Sequence, residues 1–380
     1  MKLDTHVHTV YSGNSTIAPL SRVLRESYNS VEGVYRRSAP AGWIIPFYSE
    51  MAMYLPRLRA FRRHLQADGV QLMHLTTPGP VGLAARYLVP RTGARLVGSF
   101  HTQLAEYTHL LSGSATLGTG MRHYLRWLYG TCERVLVPSD DTRRRLASDR
   151  WPAERLVVWT RGVDVAAFSP ARRSASLRER WQVSDRRPAL LYAGRVSREK
   201  GLSLLAPLLS LLRDRHVSHR LIVVGDGPML TALRAACPDA FFTGGLTHDQ
   251  VAVAMASADM FVFPSATDTA GNVVLEAQAS GLPVVVSDQG GPRENMLAGE
   301  SGYVCRAGDT ADFCERVVSL VESGLRSQMS CAARRYAEGR TWDLSLAPVY
   351  SLYRTVLAQL SRADAARLQT GRRTAGVSLP

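Results

Sequence analysis

The most informative stretch of the sequence is Phe263–Val284, which reads FPSATDTAGNVVLEAQASGLPV. An apolar strand is followed by a polar loop, and a helix then begins near Gly271. Gly281 ends that helix in the usual manner, and Pro283 prevents its continuation. The stretch therefore predicts a strand, a loop, a helix and a second strand. In an open parallel sheet, such a loop lies where ligands bind.

Short apolar runs alternate with helical stretches on both sides of this unit, which is the rhythm of βαβ architecture. In the second half of the chain the predicted strands are almost continuously apolar, as in a buried parallel sheet. They cover residues 190–193, 221–224, 241–242, 260–263 and 284–286. The predicted strands of the first half are residues 70–75, 95–100, 135–137 and 156–158. The fold class is therefore α/β, with two doubly wound, Rossmann-like domains.

The 380 residues suit two domains, since one domain usually takes roughly 100–200 residues. We expect a first domain over residues 1–168 and a second over 188–345. Residues 169–187 are rich in Arg, Ser and Pro, which is typical of an interdomain connection. A last helix is predicted over 346–360, followed by a mobile polar tail over 361–380.

The chain has a formal net charge of +14, which suits an anionic partner. Residues 1–170 carry 21 basic and 12 acidic side chains, so much of the excess lies in the first half. No aromatic-interleaved module accompanies the arginines, so we expect no nucleic acid partner and favour an anionic membrane surface. No apolar run approaches the roughly 20 residues that span a bilayer. We expect a cytoplasmic protein, peripheral on the inner face of the membrane.

Charged side chains surround the loop of the opening stretch. Asp268 precedes the helix and Glu276 lies within it, and carboxylates accept hydrogen bonds from hydroxyl groups. The N–H groups at a helix N-terminus favour a phosphate. The segment Gly194–Gly201 adds Lys200, which is one of only two lysines beside 44 arginines. A compact ammonium kept at this place indicates a phosphate site, and the hydroxyl acceptors indicate a sugar nucleotide.

Several further turn motifs occur in a fixed order around these residues. They are RGVD at 161–164, GDGP at 225–228, FTGG at 242–245 and GGP at 290–292. Together with Phe263–Val284, these motifs resemble the retaining GT-B glycosyltransferases, the large family that includes mannosyl- and sulfoquinovosyl-lipid synthases. The resemblance covers residues 69–360.

The resemblance implies a GT-B fold, in which two Rossmann-like domains face each other across a cleft. It implies a nucleoside-diphosphate sugar bound to the second domain and a lipid or saccharide acceptor bound to the first. It further implies transfer with retention of the anomeric configuration, without a metal ion or another cofactor.

Roles for individual residues are implied by the resemblance as well. Arg195 and Lys200 would bind the diphosphate, Glu276 the ribose and Asp268 the transferred sugar, while the amides near residues 270–273 would bind the distal phosphate. The implied catalytic residues are His101, Arg195, Lys200, Asp268 and Glu276. The implied donor-binding residues are Gly194, Gly244, Ala270, Gly271, Asn272, Val273 and Val274.

Two departures from the family concern the donor sugar and the first domain. The family usually has Glu-x-Phe-Gly where this chain has Asp268 to Gly271, so the donor sugar stays open. Family members also place more residues before the equivalent of Val70, which predicts a shortened first domain. A nucleotide-sugar-binding protein with impaired transfer is therefore the alternative function.

The opening segment carries a second resemblance. Residues 4–14 read DTHVHTVYSGN and resemble the first metal motif of the polymerase-and-histidinol-phosphatase (PHP) phosphoesterases, within residues 1–38. His6 and His8 share one face of a strand and could begin a metal site, but such a site needs further ligands from later segments. We favour a buried first strand over residues 2–10 and no metal. A metal-dependent phosphoesterase is the least favoured function.

Overall fold

In a computed structural model, the protein forms two α/β domains. The structure describes residues 10–11, 42–45, 48–54, 56–67, 70–322 and 324–374. His6, His8 and most of the predicted first strand lie outside these residues.

The first domain is built on a five-stranded sheet in the order β1-β4-β5-β6-β7, beside a separate β2-β3 hairpin. Strand β1 pairs antiparallel with β4, and the other pairs of the sheet are parallel. The strands are β1 (Val10–Tyr11), β2 (Gly42–Ile45), β3 (Tyr48–Tyr54), β4 (Leu72–Leu75), β5 (Arg95–Ser99), β6 (Arg134–Val137) and β7 (Leu156–Val158). The helices are α1 (Leu58–Ala67), α2 (Pro80–Leu88), α3 (Leu104–Ser112), α4 (Ala115–Tyr129) and α5 (Asp140–Ser148).

The second domain has a six-stranded parallel sheet in the order β10-β9-β8-β11-β12-β13. This is the doubly wound order of a Rossmann fold, and its direction reverses between β8 and β11. The strands are β8 (Ala189–Ala193), β9 (Arg220–Val224), β10 (Phe241–Gly244), β11 (Met260–Phe263), β12 (Val284–Ser287) and β13 (Gly302–Cys305). The helices are α6 (Ala175–Trp181), α7 (Leu205–Asp214), α8 (Leu230–Ala236), α9 (His248–Ser257), α10 (Asn272–Ala279), α11 (Thr310–Glu322), α12 (Arg326–Glu338) and α13 (Trp342–Thr374).

The two central strands of this sheet are buried on both faces, as their continuous apolar sequence predicts. The rings of Tyr192 and Phe263 stack with centroids 6.0 Å apart, and those of Phe261 and Phe263 lie 5.9 Å apart. All three side chains are fully buried. This packing fixes the ends of β8 and β11 beside each other.

The segment 169–187, expected to be a connection, packs against the second domain. It contains α6, whose Trp181 is fully buried in the core of that domain. Arg178 also donates to both carboxylate oxygens of Asp259, at 3.0 and 2.9 Å. Sequence periodicity did not reveal this packing because it depends on one large side chain and on ion pairs with residues distant in the sequence.

The last helix, α13, returns to the first domain. Its Val349, Tyr353 and Val356 pack on one face of the first sheet. The helix extends to Thr374, so most of the stretch expected to be a tail is helical. Its alanines, arginines and glutamine are strong helix formers. No helix of the described residues is both long and apolar enough to span a bilayer.

Candidate functional site

The candidate site lies at the carboxyl ends of β8 and β11, where the strand order reverses. The loop 264–271 follows β11 and ends at Gly271, which immediately precedes α10 and has a φ of +67°. A Cβ atom on Gly271 would lie 2.6 Å from the Cα of Pro292. Glycine is therefore required here by the backbone conformation and by the close approach of the neighbouring loop.

An ion pair joins the two loops of the site. The Nζ atom of Lys200 lies 2.7 Å from Oδ2 of Asp268, although 68 residues separate them in the chain. The side chains of Lys200 and Asp268 are 16% and 19% exposed. The pair is therefore largely shielded from water at the predicted diphosphate site.

The ion pair controls the protonation of both groups. Burial favours neutral forms, but the charge of Lys200 and hydrogen bonds from Lys200, Gly271 and Ala270 hold the pKa of Asp268 below its ordinary value. Burial also disfavours the Lys200 ammonium, yet Asp268 raises the pKa of Lys200 well above its ordinary value. Both groups are charged near neutral pH.

The second oxygen of Asp268 is bound within its own loop. Oδ1 accepts hydrogen bonds from the amides of Ala270 and Gly271, at 3.2 and 2.7 Å. A carboxylate offers about four acceptor positions, and three of them are used by these amides and Lys200. Asp268 can therefore accept about one further hydrogen bond, for example from one hydroxyl of a ligand.

Glu276 differs from Asp268 in its surroundings. It lies in the second turn of α10 and is partly buried. Burial raises the pKa of Glu276 to about 7. No hydrogen bond or ion pair joins its carboxylate to another described residue. The side chain is therefore a carboxylate with its acceptor positions open to a ligand.

The remaining predicted donor residues near α10 lie just before the helix or in its first turn. Ala270 and Gly271 give their amides to Asp268 and not to solvent. Asn272 and Val273 are partly buried at the helix start, where N–H groups lack intrahelical acceptors. Val274 is buried and donates its amide to the Gly271 carbonyl at 2.9 Å. Fewer free amides are therefore available to bind a phosphate at the start of α10 than the sequence predicted.

The other predicted donor residues follow the ends of β8 and β10. Gly194 and Arg195 come directly after β8, and the Arg195 carbonyl accepts a 2.8 Å hydrogen bond from the Tyr192 hydroxyl. Gly244 ends β10, and its carbonyl accepts from the Gly225 amide at 2.9 Å. Because β9 separates β10 from β8, Gly244 lies farther along the sheet edge than the Lys200 and Asp268 cluster.

His101 lies across the cleft, just after β5 of the first domain. Its carbonyl accepts a 2.6 Å hydrogen bond from Oγ1 of Thr269, the neighbour of Asp268. This contact brings the predicted histidine to the loop that carries the predicted carboxylate. Thr269 was not predicted from sequence, because its role depends on a contact between residues 168 positions apart.

The ring of His101 is held by two side chains of its own domain. Nε2 lies 2.7 Å from Oγ of Ser99, and Nδ1 lies 2.5 Å from Nη2 of Arg161. A guanidinium can only donate, so Nδ1 must accept. The hydrogen of a neutral His101 ring is therefore on Nε2 and points to Ser99. Arg161 was seen in the RGVD motif, but its partner could not be read from the sequence.

A second contact between the domains lies near the site. The Glu294 carboxylate accepts the amides of Asp140 and Asp141, at 2.6 and 2.7 Å, at the start of α5. Arg293 pairs with Asp141 at 2.9 Å. A carboxylate at a helix N-terminus is stabilised by the unpaired amides and the helix dipole. These contacts hold the walls of the cleft together.

Metal ligands do not gather in the described part of the chain. Among those residues, no group of three or more His, Cys, Asp or Glu side chains could hold a metal ion.

Two family models match the chain, one on each half. The model described as "Glycosyltransferase Family 4" matches residues 6–167, and "Glycosyl transferases group 1" matches residues 187–323. The first match runs through the segment that resembles a PHP phosphoesterase, and the comparisons do not support that resemblance. The predicted resemblance to glycosyltransferases is confirmed.

Curated relatives and solved structures agree with these models. A GDP-mannose-dependent alpha-mannosyltransferase of Corynebacterium glutamicum is 30% identical over 81% of this chain and 72% of its own. A GDP-mannose-dependent alpha-(1-6)-phosphatidylinositol monomannoside mannosyltransferase of Mycobacterium tuberculosis is 30% identical over 74% of this chain and 75% of its own. Sucrose-phosphate synthase from Thermosynechococcus elongatus superposes with a TM-score of 0.68, at 19% identity, over 84% and 83% of the two chains.

The predicted fold class is also confirmed, since the two parallel-sheet domains and their structural neighbours are those of the GT-B fold. Because both halves match and a relative is 30% identical over most of both chains, this chain belongs to the family 4, group 1 glycosyltransferases and is a glycosyltransferase enzyme.

Proposed function

We propose that this enzyme transfers a sugar from a nucleoside-diphosphate sugar to a lipid or saccharide acceptor, with retention and without a metal ion. One observation carries the proposal: the ion pair of Lys200 and Asp268 stands at the start of α10, while Glu276 on the same helix keeps an open carboxylate. A cation, a helix N-terminus and a hydroxyl acceptor are the groups that a sugar nucleotide needs.

The leaving diphosphate would be stabilised by electrostatic preorganisation. Lys200 and Arg195 follow β8 and would face the phosphates, and the first turn of α10 would add its N–H groups. Such groups act most strongly on charge that develops in a site shielded from water. Because Lys200 is already held by Asp268, its ammonium is positioned before the donor arrives.

Glu276 and Asp268 would divide the hydroxyl groups of the donor. Glu276 lies within α10 and would accept hydrogen bonds from the ribose. Asp268 has about one acceptor position left, which would bind one hydroxyl of the transferred sugar. His101 would lie on the opposite side of that sugar, since its carbonyl contacts Thr269.

Retention of the anomeric configuration is supported by the bonding of Asp268, the carboxylate that we assign to the transferred sugar. Asp268 is bound by Lys200 and two amides, which makes its oxygens weak nucleophiles. We infer that a phosphate oxygen of the leaving group accepts the acceptor's proton on the same face of the sugar. This route needs no protein nucleophile.

The names of relatives suggest where to begin the search for substrates. Two of them use GDP-mannose, and one acts on a phosphatidylinositol mannoside. We therefore propose GDP-mannose as the first donor to test and a glycolipid as the first acceptor. The net charge of +14 supports contact with an anionic membrane surface, at the cytoplasmic face.

A donor panel tests the proposal. The purified chain is heated with GDP-, UDP- and ADP-sugars, and transfer is then measured with the donor that stabilises it most. We expect stabilisation by one nucleotide and multiple turnovers of transfer. Stabilisation without turnover would favour the alternative, a nucleotide-sugar-binding protein with impaired transfer. The absence of both would refute the proposal.

A further inference from the structure

Arg161 is a partly buried cation at the cleft that lacks an anionic partner among the described residues. Its Nη2 atom donates to the uncharged Nδ1 atom of His101, and its guanidinium stacks on Trp159, 4.1 Å from the ring centroid. The Nε atom is buried and has no hydrogen-bond partner. Burial lowers the pKa of Arg161 to about 10, which reflects the cost of keeping an uncompensated charge there.

Three other arginines of the described residues, by contrast, have carboxylate partners. Arg178 pairs with the buried Asp259, and Arg173 pairs with the same carboxylate at 2.7 Å. Arg334 donates to three backbone carbonyls and to Glu338. A guanidinium offers five N–H donors; one of those of Arg161 donates to His101, and its buried Nε–H has no acceptor among the described residues. A buried charge without a partner destabilises the folded protein unless a ligand supplies the opposite charge.

The position of Arg161 in the cleft indicates what kind of ligand its guanidinium could bind. It follows β7 at the carboxyl edge of the first sheet, and it contacts His101, whose carbonyl meets Thr269 of the second domain. Lys200 and its partner Asp268 stand on the other wall of the cleft. Arg161 therefore lies on the wall of the cleft opposite the cations assigned to the diphosphate.

We propose that Arg161 is the binding residue for an anionic group of the acceptor, a phosphate monoester or diester next to the hydroxyl that receives the sugar. A planar guanidinium matches two phosphate oxygens, and its stack on Trp159 fixes its plane. This inference rests on the proposed function, because it takes the donor to occupy the opposite wall.

Calorimetry with small probes tests the inference on the full chain. Glycerol 3-phosphate is titrated into protein saturated with GDP, and glycerol is the uncharged match. We expect glycerol 3-phosphate to bind the wild type and glycerol not to bind. In Arg161→Gln the affinity should fall about tenfold or more, since a hydrogen bond between charged groups is lost. Arg161→Lys should retain part of it.

Arg91→Gln is the matched control. Arg91 also stacks on an aromatic ring, 3.8 Å from the centroid of Tyr87, and donates to a backbone carbonyl, but it lies on an exposed turn. Its replacement should leave the affinity for glycerol 3-phosphate unchanged. Circular dichroism of each variant confirms that it is folded.

The results separate the inference from the proposed function. Equal affinities of wild type and Arg161→Gln for glycerol 3-phosphate, or a wild type that binds it no better than glycerol, would overturn the inference. A loss of GDP affinity in Arg161→Gln would also overturn it, because Arg161 would then serve the donor. Failure of GDP to bind the wild type would count against the proposed function, and the glycerol 3-phosphate titration without GDP would still test Arg161.

Discussion

Asp268→Asn separates the two tasks that we assign to Asp268. The amide oxygen of Asn can still accept the amides of Ala270 and Gly271, because Asn forms the same local turn as Asp. Its NH₂ group, however, cannot pair with the Lys200 ammonium, which is 2.7 Å from the carboxylate in the wild type. The variant should therefore keep the conformation of the loop but remove the anionic partner of Lys200.

The structure gives the expected magnitudes. Removing one partner of a buried ion pair costs about 3–5 kcal/mol. Lys200 and Asp268 are 16% and 19% exposed, so water can partly solvate the ammonium left behind. We therefore expect a loss of about 2–3 kcal/mol in the free energy of unfolding. A bound diphosphate would then replace the carboxylate as the partner of Lys200, so we expect GDP to bind about tenfold tighter or more.

The assay combines denaturant unfolding with calorimetric titration of GDP and of the full sugar donor. The full donor should gain less affinity than GDP, because Asn loses the acceptor position that we assign to the sugar. Asp259→Asn is the control, since Asp259 pairs with Arg178 in the same domain, away from the site. That variant should lose stability without gaining affinity for GDP. An unchanged or weaker affinity of Asp268→Asn for GDP would show that Asp268 does not compete with a diphosphate for Lys200.

Three further predictions concern the diphosphate cations, the Glu276 carboxyl group and the excess positive charge. Arg195→Ala and Lys200→Ala should each weaken GDP binding by about 2–4 kcal/mol in calorimetry, and unchanged affinity in both would contradict the diphosphate assignment. Glu276 has a pKa of about 7 because of burial, and hydroxyl donors favour its ionised form, so GDP binding near pH 7 should release protons. Titrations in buffers of different ionisation enthalpy measure this proton release. Glu276→Gln should abolish the part of the release that comes from the Glu276 carboxyl group. Equal release in the two proteins would argue against a contact between Glu276 and the ribose. Co-sedimentation with anionic vesicles should weaken with salt over a Debye length of about 8 Å at physiological ionic strength, whereas salt-independent binding would remove support for membrane contact.

The secondary structure of the second domain followed closely from its sequence. The apolar run at Met260–Phe263 forms the predicted strand, and the helix His248–Ser257 precedes it, as the predicted alternation of helices and strands requires. Strong local signals explain this, such as the capping box in which Thr247 and Gln250 exchange hydrogen bonds. The candidate site could be placed for the same reason, because strand ends in a parallel sheet meet at one edge.

Features that depend on distant contacts were not predicted. The pairing of Arg161 with His101 joins residues 60 positions apart, and that of Lys200 with Asp268 joins residues 68 apart. The sequence showed that these groups were present, but not that Asp268 would occupy two of the amides assigned to a phosphate. Trp181 was likewise assigned to a connection, because one buried ring leaves no periodic pattern.

We propose that a nucleoside-diphosphate sugar binds at the ends of β8 and β11 and is used for transfer. The most direct test of this proposal is multiple-turnover transfer of labelled sugar by the purified chain, with a panel of GDP-, UDP- and ADP-sugars and glycolipid acceptors. We predict turnover with one donor, lost in Lys200→Ala and preserved in the control Arg91→Gln. Robust turnover that survives Lys200→Ala, or no turnover and no nucleotide binding with any donor, would contradict this binding site and its use for transfer.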